Sequence, residues 1–217
     1  MGRTTSGRRA GQRFDAELHV TTEALVFLGD LDPEAIGPPL EFATHYEPTP
    51  VAQAEALLDA SPLPPQTTTF VDVGAGMGRV VLLAARRPFR AVVGVELSPA
   101  LVAVARDNLV AADDPRRVAR DVRIVRADAA RYAFPRGDLV VYLYNPFRAP
   151  VLQALLRRLQ RGPAREVVLL YHTPVERAVI DAEGGFELLA DVGFGVAYRL
   201  RRPLPDGGAP NRRAKPP

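Results

Sequence analysis

The chain has 217 residues, 47% of them apolar and 24% charged, which is the balance of an ordinary globular domain. It has no cysteine and three scattered histidines, which excludes disulfides and thiolate metal sites and gives no sign of a zinc site. The formal charge of +3 is uneven, because residues 1–13 and 201–217 carry +4 each and residues 14–200 carry −5. We therefore expect two disordered basic tails and a folded part without a strong nucleic-acid surface.

The start of the chain and its hydropathy bear on cellular location. The basic segment 1–13 lacks the apolar stretch of a secretory signal. No apolar run approaches the length of a bilayer span. The sequence therefore predicts a cytoplasmic protein with no membrane partner.

The first clear helix signal lies at residues 49–60. Thr49 followed by Pro50 predicts an N-cap with proline in the first turn. The apolar residues after it fall on one helical face, namely Val51, Ala54, Leu57 and Leu58.

From Phe70 onward the sequence alternates between short apolar strands and helices. The predicted parallel strands cover residues 70–73, 91–96, 122–128, 138–144 and 166–171. The predicted helices cover residues 78–87, 98–112, 150–160 and 174–185, and residues 186–192 and 195–200 predict a final antiparallel pair. This order is typical of an α/β fold, a mostly parallel sheet with helices on both faces.

The turn after the first strand is the first candidate for a ligand site, because such sheets bind ligands beyond the carboxyl ends of their strands. Asp72 precedes Gly74, Gly76 and Gly78, which have the spacing G-x-G-x-G. A dinucleotide turn has the spacing G-x-G-x-x-G and holds a pyrophosphate, which the Asp72 carboxylate would repel. S-adenosylmethionine (SAM) carries an ammonium group instead, so the turn favours SAM over NAD. The glycines alone are equally typical of a tight turn without a ligand.

Two further acids follow the next strands. Glu96 ends the second strand, where its carboxylate could accept hydrogen bonds from the ribose hydroxyls. Asp128, followed by Ala129, ends the third strand, where its carboxylate could accept a hydrogen bond from the adenine amino group. Each acid alone also fits a solvated turn, but three acids behind a glycine turn form a more specific pattern.

These motifs resemble those of class I SAM-dependent methyltransferases. The matching segments are FVDVGAGMGRVV, VVGVELSPALVAVARDN, VRIVRADA and DLVVYLYNPF. The resemblance covers about residues 44–200 and implies a seven-stranded, Rossmann-like sheet with an antiparallel last strand. It also implies that Asp72, Gly74, Gly76 and Gly78 hold the methionine portion of SAM, Glu96 and Leu97 the ribose, and Asp128 and Ala129 the adenine.

The basic tails and the resemblance together predict a domain organisation. Residues 1–13 and 203–217 would be disordered basic tails, and residues 14–202 a single SAM-dependent methyltransferase domain. Within that domain, residues 14–60 would form an N-terminal helical or lid segment and residues 70–202 the Rossmann-like core.

Within this class the sequence resembles the Dot1-like lysine methyltransferases and their bacterial and mitochondrial relatives. Those enzymes carry Tyr-x-x-Thr near the methionine end of the cofactor, and residues 46–49 read Tyr-Glu-Pro-Thr. Their strand-four loop has asparagine followed by an aromatic residue, and residues 145–147 read Asn-Pro-Phe. The resemblance implies that Tyr46, Thr49 and Asn145 contact the cofactor. A histone substrate does not follow, because the long N-terminal features of the histone enzymes are missing.

The strand-four loop also resembles a shortened N-P-P-[YF] loop of amine-directed methyltransferases. An asparagine oxygen and a backbone carbonyl can hold the hydrogens of an amine, so that its lone pair faces the methyl group. Proline keeps the preceding residue extended, and an aromatic ring can pack against the acceptor. We therefore predict Asn145, Pro146 and Phe147 as catalytic residues and a protein lysine or small amine as acceptor. The missing second proline disfavours adenine or glutamine, and a turn with a buried phenylalanine stays an alternative.

Four further side chains lie near the ends of strands four and five, Tyr142, Tyr144, Tyr171 and His172. Tyr142 and Tyr144 share one face of their strand, where they could line an acceptor pocket or simply belong to the core. His172 could be a general base or a buried structural residue.

Three functions stay open at this point. The leading one is a SAM-dependent N-methyltransferase, and the others are a non-catalytic SAM-binding module and an NAD-dependent oxidoreductase. The glycine spacing, Asp72 and the absence of a Y-x-x-x-K motif disfavour the oxidoreductase.

Overall fold

Within residues 5–24, 46–144 and 148–201, which the computed structural model describes, seven strands form one sheet in the order β3-β2-β1-β4-β5-β7-β6. The strands are β1 (Thr68–Val73), β2 (Ala91–Glu96), β3 (Val122–Arg126), β4 (Gly137–Tyr144), β5 (Ala164–His172), β6 (Phe186–Asp191) and β7 (Gly195–Leu200). Strands β1 to β5 pair in parallel, whereas β7 runs antiparallel to β5 and β6. The predicted α/β sheet with an antiparallel last strand is therefore confirmed.

Six α-helices lie in the same described ranges. They are α1 (Thr5–Leu18), α2 (Val51–Asp59), α3 (Arg79–Ala84), α4 (Pro99–Ala111), α5 (Ala149–Arg161) and α6 (Arg177–Glu183). Helix α4 begins as its sequence predicts, with the Ser98 hydroxyl accepting a hydrogen bond from the Leu101 amide at 3.4 Å. Helix α3 is much shorter than the predicted range 78–87 and starts directly after the glycine turn.

The sheet is buried on both faces, because its central strands carry apolar residues at successive positions. All six residues of β1 are buried. One face packs against α1 to α4, with Phe14, Leu57, Val81 and Val102 on the helices and Phe70 and Val140 on the strands. The other face packs against α5 and α6, with Leu155 and Ile180 on the helices and Val71 and Val141 on the strands. Because both faces are packed, the carboxyl ends of the strands are held in place, and the candidate site lies at these ends.

The order of the strands creates a crevice at the centre of the sheet. Strands β2 and β3 lie on one side of β1, and β4 and β5 lie on the other. Such a reversal leaves an opening beyond the carboxyl ends of the two strands that flank it, here β1 and β4. Asp72 and Tyr142 are register partners on these two strands. They therefore lie side by side close to these carboxyl ends.

The prediction of a disordered tail over residues 1–13 is wrong for residues 5–13, which belong to helix α1. Gly11, Phe14 and Leu18 form a buried stripe on this helix. The Phe14 ring lies against two guanidinium groups, those of Arg79 at 5.6 Å and Arg86 at 5.2 Å from its centroid. The arginines of residues 1–13 are typical of a disordered tail, and the buried stripe has only three residues, too few for a clear helical pattern in the sequence. The predicted tail at 203–217 lies outside the described residues.

The predicted N-cap at Thr49 is also wrong. Helix α2 begins at Val51, and Pro50 occupies the N-cap position. Thr49 is buried and makes other bonds: its carbonyl accepts from Arg79 at 3.3 Å, and its hydroxyl accepts from Tyr142 at 3.5 Å. These contacts hold Thr49 against the crevice rather than at the helix start. The predicted third strand also ends early, because β3 stops at Arg126 and Asp128 lies beyond it.

The helices were compared with the requirements of a membrane span. None of those in the described ranges has the length and apolar character that a bilayer span requires.

We expect Phe14→Ala to lower the free energy of unfolding by about 3–5 kcal/mol, because the ring is buried and its removal leaves a cavity beneath two cations. Urea denaturation followed by circular dichroism measures the change. The control is Gln12→Ala on the exposed side of the same helix, which we expect to change stability by no more than about 0.5 kcal/mol. Equal stability of the two variants would show that α1 is not part of the cooperative fold.

Candidate cofactor site

The glycine turn between β1 and α3 is held by backbone hydrogen bonds to the neighbouring strand. The amides of Gly74 and Ala75 both donate to the carbonyl of Val95, at 2.8 and 3.0 Å. The amide of Gly78 donates to the Ala75 carbonyl at 2.9 Å. The turn therefore has a defined shape that is tied to the end of β2.

Gly76 is the position in this turn that most requires glycine. Its φ of 53° lies in the left-handed region, and an added Cβ would overlap the ring of Tyr46. The Tyr46 hydroxyl donates to the Thr22 carbonyl at 2.8 Å, which fixes the ring over the turn. The structure thus brings Tyr46, a predicted cofactor residue, to the glycine turn.

Asp72 is a buried carboxyl group at the end of the central strand. It is 3% exposed and lies beside Tyr142 in the sheet. Burial, and secondly the nearby Glu96 carboxylate, raise the pKa of Asp72 to about 8. The group is therefore protonated near neutral pH, and a cation placed beside it would favour its ionised form. The ammonium group of SAM is such a cation.

Glu96 ties the end of β2 to the glycine turn. Its Oε2 accepts from the Gly76 amide at 2.9 Å, and its Oε1 accepts from the amides of Leu97 at 2.8 Å and Ser98 at 2.9 Å. Burial raises the pKa of Glu96, and these backbone hydrogen bonds oppose that rise. Because a carboxylate offers about four acceptor positions, Oε2 retains one for a further donor such as a ribose hydroxyl.

Asp128 lies at the next strand end, past β3. Its Oδ1 accepts from the Ala130 amide at 2.8 Å, and its Oδ2 lies 3.7 Å from the Arg131 guanidinium. The side chain is 31% exposed, whereas Ala129 beside it is buried. The amide of Ala127 donates to the Glu96 carbonyl at 3.0 Å, which links this segment to β2. The geometry therefore places the predicted adenine and ribose residues at adjacent strand ends.

Asn108 belongs to the site's support and was missed by the sequence reading. Its amide nitrogen donates to the carbonyls of Thr21 and Met77, both at 2.9 Å, and its oxygen accepts from the Thr21 amide at 2.8 Å. It therefore joins the glycine turn to the N-terminal segment. An asparagine at a buried position inside a helix is unfavourable without such partners, and that is the signal that could have revealed it.

Aromatic side chains gather beside the crevice at the ends of β4 and β5. The rings of Tyr144 and His172 meet edge to face with centroids 4.4 Å apart, and Phe194 lies 5.7 Å from His172. Tyr171 belongs to the opposite core and takes no part in this group. The predicted catalytic residues at 145–147 lie outside the described residues.

His172 has the environment of a structural residue. Its Nε2 lies 2.9 Å from Gln53 Oε1, and its Nδ1 lies 2.9 Å from the Thr173 hydroxyl. Burial lowers the pKa of His172 to about 4, so the ring is neutral at physiological pH. Because both ring nitrogens are engaged, His172 is not available as a general base.

Comparisons with known proteins find methyltransferases. Residues 70–162, from β1 to the end of α5, match a family model described as a methyltransferase domain. A curated relative from Methanosarcina mazei, the probable ribosomal RNA small subunit methyltransferase A, is 37% identical over 87 residues. That match covers 40% of this chain and 29% of the relative, so the chain spans less than a third of its length.

Two solved structures share the fold. The S-adenosylmethionine-dependent methyltransferase SibL has a TM-score of 0.52 at 17% identity, covering 70% of this chain and 55% of that one. The 23S rRNA methyltransferase ErmE has a TM-score of 0.50 at 16% identity, covering 70% and 68%.

The fold, the glycine turn and the match over residues 70–162 together support a class I SAM-dependent methyltransferase domain. The comparisons lend no support to the narrower Dot1-like resemblance, since the curated relative is named as an rRNA methyltransferase. The contacts of individual residues with SAM stay predictions.

We expect Gly76→Ala to weaken binding of S-adenosylhomocysteine by roughly tenfold or more, because the new methyl group must displace Tyr46 or distort the turn. Isothermal calorimetry measures the affinity. The control is Gly184→Ala, a glycine whose φ of 72° is also positive but which has no atom within 4 Å of the new Cβ. Wild-type affinity in the Gly76 variant would place the ligand elsewhere.

We expect the affinity for S-adenosylhomocysteine to rise with pH between about 5.5 and 7.5, by up to about tenfold per unit. The reason is that the ligand's ammonium group favours ionised Asp72, whose pKa in the free protein is about 8. Binding should then release a proton, which calorimetry in buffers of different ionisation enthalpy detects. Asp72→Asn should bind weakly and without this slope.

The raised pKa of Asp72 also predicts how the stability of the protein depends on pH. Because folding raises the pKa of Asp72 to about 8, this carboxyl group lowers the stability of the ligand-free protein as pH rises towards that value. The unfolding free energy of the wild type should therefore fall relative to Asp72→Asn over this range. A constant difference between the two proteins would contradict the assignment.

Proposed function

We propose that this chain transfers the methyl group of SAM to a nitrogen acceptor at the carboxyl ends of β4 and β5. One observation carries the proposal: Asp128, Glu96 and the glycine turn follow three adjacent strands, in the order β3, β2, β1. Adjacent strands lie about 4.8 Å apart, so these residues suit the adenine, ribose and methionine portions of one extended molecule. The methyl group would then face the next strand, β4.

The residues around the end of β4 have the task of positioning the acceptor. Bound SAM supplies an activated methyl group, so orientation is the main requirement. Tyr144 lies at the edge of this region against His172. We propose that Asn145 and the backbone beside it hold the acceptor's hydrogens, with Phe147 packing against the acceptor. His172 keeps the wall of the pocket in place and leaves the proton to another group or to water.

The acceptor class has two candidates. The strand-four motif Asn-Pro-Phe supports an amine, either a protein lysine or a small molecule. The second candidate is RNA, and the observation that favours it is the rRNA methyltransferase relative, 37% identical over 87 residues. An exocyclic base nitrogen and an amine nitrogen make similar demands on an asparagine oxygen, so a base stays a candidate although the missing second proline disfavours adenine.

The test uses SAM with a labelled methyl group and extract of the source organism. The proposal predicts label on nitrogen in one class of acceptor, together with formation of S-adenosylhomocysteine. Ribonuclease, protease and ultrafiltration then separate RNA, protein and small-molecule acceptors. Binding of SAM without any transfer would support a non-catalytic module, and label found on oxygen alone would contradict the proposed acceptor atom.

We expect Asn145→Ala to lower kcat by roughly ten- to a hundredfold, because losing a hydrogen bond to the acceptor costs about 1–3 kcal/mol in the transition state. The affinity for SAM should change little, and its measurement on the same variant is the internal control. If affinity and turnover fall equally, Asn145 contacts the cofactor and does not position the amine.

A further inference from the structure

Arg79 is a buried cation directly behind the glycine turn. It is the first residue of α3, follows Gly78, and is 2% exposed. Its Nη2 lies 2.8 Å from Glu23 Oε2 and 3.5 Å from Asp15 Oδ1. Its Nε donates to the Thr22 hydroxyl at 2.7 Å. These partners all come from the segment that follows helix α1 or from the helix itself.

The segment that follows helix α1, residues 19–24, folds back onto that helix and contacts the Arg79 guanidinium. The Asp15 carboxylate accepts hydrogen bonds from the amides of Thr22 and Glu23, both at 2.6 Å. Gly11 packs so closely beneath the ion pair that an added Cβ would overlap the Glu23 carboxylate and come within 2.9 Å of Arg79 Nη1. The segment is therefore built around the cation.

A continuous path of contacts leads from Arg79 to the turn that would hold the cofactor. Arg79 fixes the hydroxyl of Thr22, and the carbonyl of Thr22 accepts from the hydroxyl of Tyr46. The ring of Tyr46 lies over Gly76. A second contact fixes the other side, since Arg79 Nη1 donates to the carbonyl of Thr49 at 3.3 Å.

We infer that Arg79 is a positioning residue for the cofactor, because it fastens residues 15–23 and Thr49 over the glycine turn and thereby holds Tyr46 against Gly76. This rests on the proposed function, since it assigns a support to the same site. An arginine suits this position because its planar guanidinium donates hydrogen bonds in several directions at once. A lysine ammonium on a flexible stem does not reproduce these contacts.

Arg86 provides a matched control. It is also nearly buried, at 8% exposure, and lies 5.2 Å from the same Phe14 ring. Its ion pairs are with Asp114 at 2.6 Å and Glu55 at 3.3 Å, neither of which belongs to the path from Arg79 to Tyr46. Arg86→Met therefore removes a comparable buried cation without touching the cofactor turn.

The first test compares Arg79→Met and Arg79→Lys with Arg86→Met, at a temperature where circular dichroism shows each variant folded. We expect Arg79→Met to weaken binding of S-adenosylhomocysteine by at least about tenfold, Arg79→Lys to restore part of it, and Arg86→Met to bind within about twofold of wild type. Equal affinity in the Arg79 and Arg86 variants would overturn the inference.

A second test perturbs the same ion pair from helix α1. Gly11→Ala should raise the propensity of α1 to form a helix, yet displace Glu23 from Arg79 and so weaken ligand binding. Gln12→Ala on the exposed side is its control. Wild-type protein that binds neither SAM nor S-adenosylhomocysteine would overturn the proposed function and this inference with it. Wild-type binding with unchanged affinity in Gly11→Ala and Arg79→Met would overturn the inference alone.

Discussion

The site depends on keeping two carboxyl groups, the buried Asp72 and the half-buried Glu96, beside a glycine turn whose amides are hydrogen-bonded. Glu96 meets this constraint by accepting three backbone amides, one of them from Gly76 in the turn itself. Asp72 meets it by holding its proton, which the rise of its pKa to about 8 expresses. The first carboxylate shapes the turn, and the second leaves the site prepared for a cation. Both effects arise because the two carboxyl groups lie at the carboxyl ends of strands in a sheet that helices cover on both faces.

The N-terminal segment completes the site from outside the Rossmann-like core. The strands and helices of the core supply the acids and the glycines, and a side chain from before β1 covers the turn. Tyr46 does so, held by the carbonyl of Thr22, and Thr22 in turn is held by Arg79. Helix α1 therefore belongs to the same domain as the candidate site, although its composition resembles that of a solvated tail.

The sequence was sufficient for the sheet and for the residues at its strand ends, because buried strands and glycine turns leave strong local patterns. It was insufficient for α1, whose three buried residues are separated mostly by polar and charged ones, and for the start of α2, where Thr49 bonds to distant groups. Arg79 and Asn108 escaped for a related reason. Their partners lie 57 and 87 positions away along the chain, and no local pattern records such a distance.

The central claim is that the turn is built for SAM and not for a dinucleotide. Calorimetric titration of the same protein with S-adenosylhomocysteine and with NAD tests it most directly. Buried Asp72, which the ligand's ammonium group would ionise, predicts micromolar binding of S-adenosylhomocysteine, and the G-x-G-x-G spacing, which departs from the dinucleotide turn, predicts no measurable heat from NAD. Binding of NAD with no response to S-adenosylhomocysteine would contradict the account.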